Sequence, residues 1–182
     1  MNVRLISGQY GGRIIAAPGR DSTHAMSERA RGAMFNTLGS ALFEGARVLD
    51  AFAGSGSLGF EAISRGAASA TFVERDHRAA TIIRNNAKLL GCEAESNIVR
   101  ANIGGWIDSV ELTEGYDVIF ADPPYDDLQL STVGRLLGLL KPNGTMILSH
   151  PGKGEVPLQT GIVVVDNRSY GTLHLTYFRR EM

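Results

Sequence analysis

The most constraining feature of this sequence is an alternation of short apolar segments with helical segments, which begins at residue 46. Five apolar segments, each followed by glycine, proline or polar residues, are separated by stretches whose apolar positions have helical spacing. Strands that alternate with helices of this length form right-handed crossovers and a parallel sheet covered on both faces. The last helical stretch, residues 128–144, is expected to end at Pro142 and Gly144. The pattern predicts an α/β fold.

The end of the chain departs from this alternation. Residues 161–180 have the pattern of two strands joined by a short turn around Ser169–Gly171. An antiparallel hairpin therefore completes the sheet, which is mostly parallel and has seven strands in total.

The start of the chain also differs. Residues 27–42 have the spacing of an amphipathic helix with Ser27 as its N-cap, and a small hairpin that turns at Tyr10–Gly12 precedes it. We divide the chain into an N-terminal basic hairpin extension, residues 1–26, and a second domain, residues 27–182.

Composition limits the classes of protein to which the chain can belong. With 182 residues, of which 43% are hydrophobic and 20% charged, it has the composition of one globular domain. No apolar run approaches the roughly 20 residues that span a bilayer, and no membrane contact is expected. A single cysteine, Cys92, fits a reducing cytoplasm. The four histidines show no metal-ligand spacing, so no metal is predicted.

Charge is distributed unevenly along the chain. Residues 1–31 carry a net charge of +3, and the remainder carries −4. All the cations of this first segment are arginines, which suit bidentate contacts with phosphate. A solvated basic arm and an arm that binds nucleic acid are both consistent with this pattern. We expect Arg4, Arg13 and Arg20 to contact RNA phosphates, and the segment to serve RNA binding and not the core.

A glycine-rich turn follows the first strand of the alternation. Gly54, Gly56 and Gly59 lead into a helix, and Glu74 ends the next strand at the distance expected of an acid that binds ribose. The turn therefore predicts an adenosine cofactor. Asp50 before the glycines would oppose a pyrophosphate but suits a cationic amino group. S-adenosylmethionine, which has an amino group, a sulfonium and no phosphate, fits better than a nicotinamide cofactor.

The second motif, "DPPY", follows the fourth strand of the alternation. Pro123 and Pro124 have no N–H group, so with Asp122 they form a rigid set of acceptors beside the flat face of Tyr125. Such acceptors suit an exocyclic amino group of a nucleobase, because two accepted hydrogen bonds favour a pyramidal nitrogen whose lone pair points outward. The tyrosine ring would stack on the base.

These motifs resemble those of class I methyltransferases that act on exocyclic amines, and so imply a Rossmann-like fold. With "ISGQYGGRII" and "SERARGAMFNTL", nearly the whole chain resembles the RsmD-like family of 16S ribosomal RNA guanine-N2 methyltransferases. The resemblance implies S-adenosylmethionine as cofactor and 16S ribosomal RNA, or the small-subunit particle, as partner. It also implies a monomer.

The resemblance assigns roles to individual positions. Asp122, Pro123, Pro124 and Tyr125 would hold the target guanine as the catalytic set. Asp50, Gly54 and Gly56 would hold the methionine end of the cofactor, and Glu74 would hold its ribose. Asn102 would contact the adenine, and Ser55 is a further residue expected to bind the cofactor.

The sequence departs from the family pattern in two places, and other functions remain open. An Arg-Pro-Thr stretch is usual where this chain has His24-Ala25-Met26, and an aspartate is usual at Asn102. The alternatives are methylation of adenine N6 or of a glutamine side chain, a nucleotide-binding oxidoreductase, and a non-catalytic RNA-binding protein. Asp122 itself argues against the first two, since such enzymes often have asparagine there.

Overall fold

The protein contains a seven-stranded sheet with helices on both faces and a separate two-stranded hairpin at the N-terminus. The computed structural model describes residues 1–19, 25–111 and 114–182. In chain order the elements are β1 Asn2–Arg4, β2 Ile14–Ala16, α1 Glu28–Leu38, β3 Arg47–Asp50, α2 Ser57–Ser64, β4 Ser69–Glu74, α3 His77–Leu90, β5 Ser96–Arg100, α4 Ile103–Ser109, β6 Tyr116–Ala121, α5 Leu130–Leu136, β7 Leu140–His150, β8 Ile162–Tyr170 and β9 Leu173–Arg180.

The strand order of the sheet confirms the predicted fold class. The order is β5-β4-β3-β6-β7-β9-β8, in which the first five strands are parallel and the last two form the antiparallel hairpin. The chain proceeds from β3 outward to β5 and then returns to place β6 on the other side of β3. A crevice therefore opens at the carboxyl ends of β3 and β6, where open α/β sheets bind ligands.

Both faces of the sheet are buried, as the apolar strands predict. On β3, Val48 packs into one hydrophobic cluster and the adjacent Leu49 into the other. Val118 and Ile119 alternate in the same way on β6, and all four side chains are fully buried. Since successive side chains of a strand point to opposite faces, each of these strands needs apolar residues throughout.

Caps define the ends of two helices. Ser27 Oγ accepts a hydrogen bond from the Ala30 N–H at 3.1 Å, which confirms Ser27 as the N-cap of α1. Asp76 caps α3 through the Ala79 N–H at 2.8 Å, and Gly91 ends that helix with a φ of 71°. These short side chains satisfy N–H groups that a helix leaves unpaired at its first turn.

The helix predicted to end at Pro142 ends earlier. Helix α5 stops at Leu136, and Leu140 already pairs with Tyr116 as the first residue of β7. The register of the β6–β7 pairing shifts between Tyr116 and Val118. In this irregular stretch, a Cβ atom at Gly144 would lie 2.9 Å from the Tyr116 carbonyl oxygen. The prediction was wrong because leucines buried by the sheet have the same spacing as leucines of an amphipathic helix.

The N-terminal hairpin is part of the core. Leu5 and Ile15 are fully buried in the larger hydrophobic cluster of the domain. The N–H groups of Ile6 and Ser7 donate to the buried carboxylate of Glu61 at 2.9 and 3.0 Å. The expectation that this segment does not serve the core is therefore wrong, since residues on both sides of the proposed boundary at residue 26 share one hydrophobic core.

In the described parts of the chain, no helix is long and apolar enough to cross a membrane.

Candidate active site

A cavity of about 390 Å³ opens at the carboxyl edge of the sheet. Its walls come from parts of the chain that are far apart in sequence: the N-terminal residues up to α1, the turn after β3, residues 73–75 at the end of β4, residues 101–103 after β5, and the segment after β6. Seven of the sequence-predicted site residues line it: Gly54, Ser55, Glu74, Asn102, Asp122, Pro123 and Pro124.

The glycine turn presents backbone to the cavity. Gly54 has a φ of 58°, and a side chain built there would meet no atom within 4 Å, so this position is open on the cavity side. Gly56 has a φ of 82° and serves as the N-cap of α2, and a side chain there would lie 2.6 Å from the Phe60 ring. Glycine is therefore required at Gly56 by backbone conformation and by close packing.

Glu74 connects the turn to the end of β4. One of its carboxylate oxygens accepts from the Gly54 N–H at 2.8 Å, and the other accepts from the Asp76 N–H at 2.9 Å. Each oxygen retains lone-pair capacity for a further donor. The carboxylate is thus held at the cavity wall in a fixed orientation, where ribose hydroxyl groups could donate to it.

Asp50 is buried in the structure, whereas the sequence predicts that it contacts the amino group of the cofactor. Its side chain is 1% exposed, it does not line the cavity, and its carboxylate accepts from the Gly59 N–H at 3.1 Å. Burial raises the pKa of Asp50 well above its ordinary value, and the carboxylates of Asp122 and Glu74 raise it further. The carboxylate thus holds the first turns of α2 through Gly59, and its direct contact with the methionine end of the cofactor stays a prediction.

Asn102 lines the cavity and also caps α4. Its side-chain carbonyl oxygen accepts from the Gly104 N–H at 2.9 Å. That oxygen is the acceptor predicted for an adenine amino group, so a contact with adenine would have to share it. Sequence reasoning missed α4 itself, because Gly104 and Gly105 weaken its helical signal.

Of the four residues of the "DPPY" motif, three line the cavity, and Tyr125, which is half-buried, does not. Asp122, Pro123 and Pro124 line the cavity. The Tyr125 hydroxyl group is 3.1 Å from Ser149 Oγ on β7, within hydrogen-bond distance. Burial raises the pKa of Tyr125, so its phenol stays neutral in the physiological range. The stacking of the Tyr125 ring on a base stays a prediction.

Sequence reasoning did not anticipate that the N-terminal hairpin forms a wall of the cavity. Met1, Val3, Ala17 and Pro18 line it. The hairpin is held by Asn86 of α3, which is 1% exposed and accepts from the Ala16 N–H at 3.0 Å.

Asn86 also joins the hairpin to the glycine turn. Its amide nitrogen donates to the Ala16 carbonyl at 2.8 Å and to the Ser55 carbonyl at 3.1 Å. One side chain thus fixes two walls of the cavity relative to each other. In the sequence, Asn86 falls on the face of α3 whose other positions are apolar, and this polar residue on an apolar face is the signal that could have indicated the bridge.

The arginines predicted to bind RNA lie outside the cavity lining or beyond the described residues. Arg4 forms an exposed ion pair with Glu28 at 2.6 Å, and Arg13 donates to the Leu89 carbonyl at 2.7 Å. Arg20 and His24 lie outside the described residues. Of the stretch that departs from the family pattern, Ala25 and Met26 line the cavity.

The cavity fits S-adenosylmethionine by the chemistry of its donors and acceptors. Gly54 leaves room for close approach to the backbone, and Glu74 offers a carboxylate to hydroxyl groups. Phe52, Val73 and Ile103 provide an apolar wall for a flat base. Among the residues that the structure describes, no group of three or more His, Cys, Asp or Glu side chains could hold a metal ion.

The family model described as "Conserved hypothetical protein 95" matches residues 3–179, almost the whole chain. The chain belongs to this family. The RsmD-like family and the methyltransferase activity predicted from the sequence are confirmed.

Individual relatives agree with this assignment. The chain is 31% identical over 183 residues to the "Putative rRNA methyltransferase YlbH" of Bacillus subtilis, covering 98% of this chain and 99% of that one. It is 33% identical over 143 residues to the "Ribosomal RNA small subunit methyltransferase D" of Escherichia coli K12, covering 78% and 68%. A solved structure, the "Putative methyltransferase yhhF" from Escherichia coli, superposes with a TM-score of 0.86 at 28% identity and covers 100% and 99%.

Proposed function

We propose that this member of the RsmD-like family transfers a methyl group from S-adenosylmethionine to the exocyclic N2 amine of a guanine in 16S ribosomal RNA. The observation that carries the proposal is that Asp122 and the two prolines share one cavity with the glycine turn and Glu74. Acceptors for an amino group and a site for an adenosine cofactor thus face the same space. The names of the relatives, an rRNA methyltransferase and a ribosomal RNA small subunit methyltransferase, support ribosomal RNA as substrate.

The residues after β6 prepare the amine for transfer. When bound, S-adenosylmethionine supplies an electrophilic methyl group attached to a sulfonium. Asp122 accepts one N–H bond of the guanine amino group, and a nearby backbone carbonyl accepts the other. Pro123 and Pro124 add no competing donor and keep this segment rigid. These acceptors are most favourable when the nitrogen becomes pyramidal, so they stabilise the transition state more than the bound substrate.

Tyr125 supports the base that these acceptors hold. Its hydroxyl group is oriented by Ser149 on the neighbouring strand, which leaves the ring as its contribution to the base. A guanine that leaves the RNA stack regains part of the lost stacking energy on such a ring, roughly 1–3 kcal/mol. We propose that the enzyme acts as a cytoplasmic monomer on the RNA or on the small-subunit particle.

The test is transfer of tritium from labelled S-adenosylmethionine to 16S ribosomal RNA isolated from cells that lack this gene. After digestion to nucleosides, the label is expected in N2-methylguanosine. Asp122→Ala is expected to reduce kcat by roughly 100-fold or more, because it removes an interaction strongest in the transition state. Asp122→Asn keeps one carbonyl acceptor and is expected to be intermediate.

Asp127→Ala is the matched control, because Asp127 is an exposed carboxylate of the same loop that does not line the cavity. Its turnover is expected to stay within about twofold of the wild type. Label in N6-methyladenosine or in protein would contradict the assignment of guanine N2. Normal turnover by Asp122→Ala would contradict the role of Asp122 as the acceptor.

A further inference from the structure

Arg31 of helix α1 is a buried cation in the wall of the cavity. The residue is 2% exposed and lines the cavity together with the N-terminal hairpin. One of its terminal nitrogens donates to the Arg4 carbonyl oxygen at 2.5 Å. Among the described residues, its Nε has no hydrogen-bond acceptor and its guanidinium forms no ion pair within 4.0 Å.

The carboxylates that influence Arg31 are engaged elsewhere. Glu61 accepts from two backbone N–H groups of the hairpin and from Arg65 Nε at 3.0 Å. Glu28 pairs with Arg4. Burial lowers the pKa of Arg31, and the two carboxylates only partly oppose this effect. Arginine nevertheless remains protonated in proteins, so this wall of the cavity carries a positive charge that no carboxylate among the described residues neutralises by an ion pair.

A buried guanidinium in this state is unfavourable until an anion joins it. A solvated surface arginine would need no such partner, because water screens its charge. Arg31 lines the cavity and has only 2% of its surface exposed, so the anion suited to it is one carried by a ligand that enters the cavity. A carboxylate suits the guanidinium because the planar groups match and two N–H bonds can form side by side.

We propose that Arg31 is a binding residue for the carboxylate at the amino-acid end of the methyl donor. The inference rests on the proposed function, since it places the donor in this cavity. It deepens that function because it assigns recognition of the donor's carboxylate to helix α1. This helix lies outside both the glycine turn and the "DPPY" motif. The acids Glu74 and Asp122 line the same cavity and cannot pair with a carboxylate, which favours a cation for this group. Two arginines line the cavity: Arg75 is exposed and follows Glu74, whereas Arg31 is buried, so we assign the carboxylate to Arg31.

The proposal is tested by isothermal titration with two ligands that differ in the carboxylate. S-adenosylhomocysteine carries the amino-acid end, whereas 5′-methylthioadenosine keeps the adenosine and the thioether and lacks that end. Arg31→Met is expected to weaken binding of S-adenosylhomocysteine by roughly tenfold to a hundredfold. Its affinity for 5′-methylthioadenosine is expected to stay within about twofold of the wild type.

Two further variants separate recognition from folding. Arg31→Lys keeps the charge without the planar fork and is expected to retain part of the preference for S-adenosylhomocysteine, and it serves if Arg31→Met does not fold. Arg29→Met is the matched control, because Arg29 is an exposed arginine of the same helix that does not line the cavity. Its affinities for both ligands are expected to be those of the wild type.

Three outcomes would overturn the proposal. A parallel loss of affinity for both ligands would show that Arg31 only supports the fold. An unchanged ratio of the two affinities, with weaker binding to RNA and a flatter salt dependence, would show that Arg31 contacts an RNA phosphate. Wild-type affinities for both ligands in Arg31→Met would show that it contacts neither. Failure of the wild-type protein to bind S-adenosylhomocysteine would instead contradict the proposed function itself.

Discussion

At the residue scale, the carboxylates near the cavity differ in how deeply they are buried. Asp50 is almost fully buried and its pKa is raised mainly by burial, whereas Glu74 and Asp122 face the cavity. An acid with a raised pKa binds protons more tightly in the folded state than in the unfolded state. Its contribution to stability is therefore greatest at acidic pH and falls as pH rises above the ordinary value of 3.8.

We expect Asp50→Asn to show this dependence. The amide keeps a carbonyl acceptor for the Gly59 N–H and has no charge to bury. The free energy of unfolding of the wild type, relative to the variant, is expected to decrease as pH rises from about 4 to about 8. Urea unfolding across this range measures it, with the exposed Asp127→Asn as control. A difference that does not change with pH would contradict the raised pKa of Asp50.

At the element scale, the N-terminal hairpin and the glycine turn are coupled through helix α3. Asn86 makes three hydrogen bonds to backbone groups of Ala16 and Ser55, which belong to two different walls of the cavity. Its neighbour Asn85 is exposed on the same helix. Asn85 therefore provides a comparison with the same residue type in the same helix that differs from Asn86 in burial and in the bridging contacts.

Asn86→Ala is expected to lower the free energy of unfolding by about 1–3 kcal/mol, because it leaves buried backbone groups without partners. Asn85→Ala is expected to change it by less than about 0.5 kcal/mol. Urea unfolding gives these values, and hydrogen exchange of the Ala16 amide reports on the hairpin directly. Equal effects of the two substitutions, or unchanged exchange at Ala16, would show that the bridge does not hold the hairpin.

At the scale of the whole molecule, folding determines how much of the positive charge of the basic N-terminal segment is exposed. Its net charge of +3 already subtracts Glu28, the partner of Arg4, but it still counts Arg31, which is buried. The positive charge available to a phosphate backbone is therefore smaller than the sequence suggests. We retain the proposal that Arg4, Arg13 and Arg20 bind RNA, with Arg4 and Arg13 on the exposed side of a hairpin whose other side is in the core.

Replacement of these three arginines by alanine is expected to weaken RNA binding. The slope of log K against log salt concentration is expected to fall by roughly 0.7–0.9 for each lost phosphate contact. Affinity for S-adenosylhomocysteine is expected to stay unchanged, because Arg4 and Arg13 do not line the cavity. A filter-binding titration at several salt concentrations measures this effect.

The control for this triple variant removes three exposed cations from helix α5 and the C-terminal hairpin: Arg135, Arg168 and Arg179. These positions are expected to leave the salt slope of RNA binding unchanged. Equal slopes in the wild type and the N-terminal variant would show that the hairpin arginines do not contact phosphate.

The sequence alone determined the features that depend on local patterns. Apolar runs, glycines and caps predict the alternating strands and helices, because each of these signals acts over a few neighbouring residues. Because the carboxyl ends of parallel strands meet at one edge of the sheet, the sequence also predicts that the glycine turn and Asp122 face the same crevice, whereas the strand order itself comes from the structure. Family membership was also readable from the sequence, since its motifs are contiguous.

Only the tertiary structure decided which residues from distant parts of the chain line the cavity and which are buried beside it. Asp50 is buried, and the Tyr125 hydroxyl group lies within hydrogen-bond distance of Ser149. Arg31 and the N-terminal hairpin line the cavity. These outcomes depend on burial and on contacts between segments separated by tens of residues. Residue type and spacing do not specify such contacts, because a carboxylate or a guanidinium in the sequence is the same group whether it meets water, a backbone N–H or a ligand.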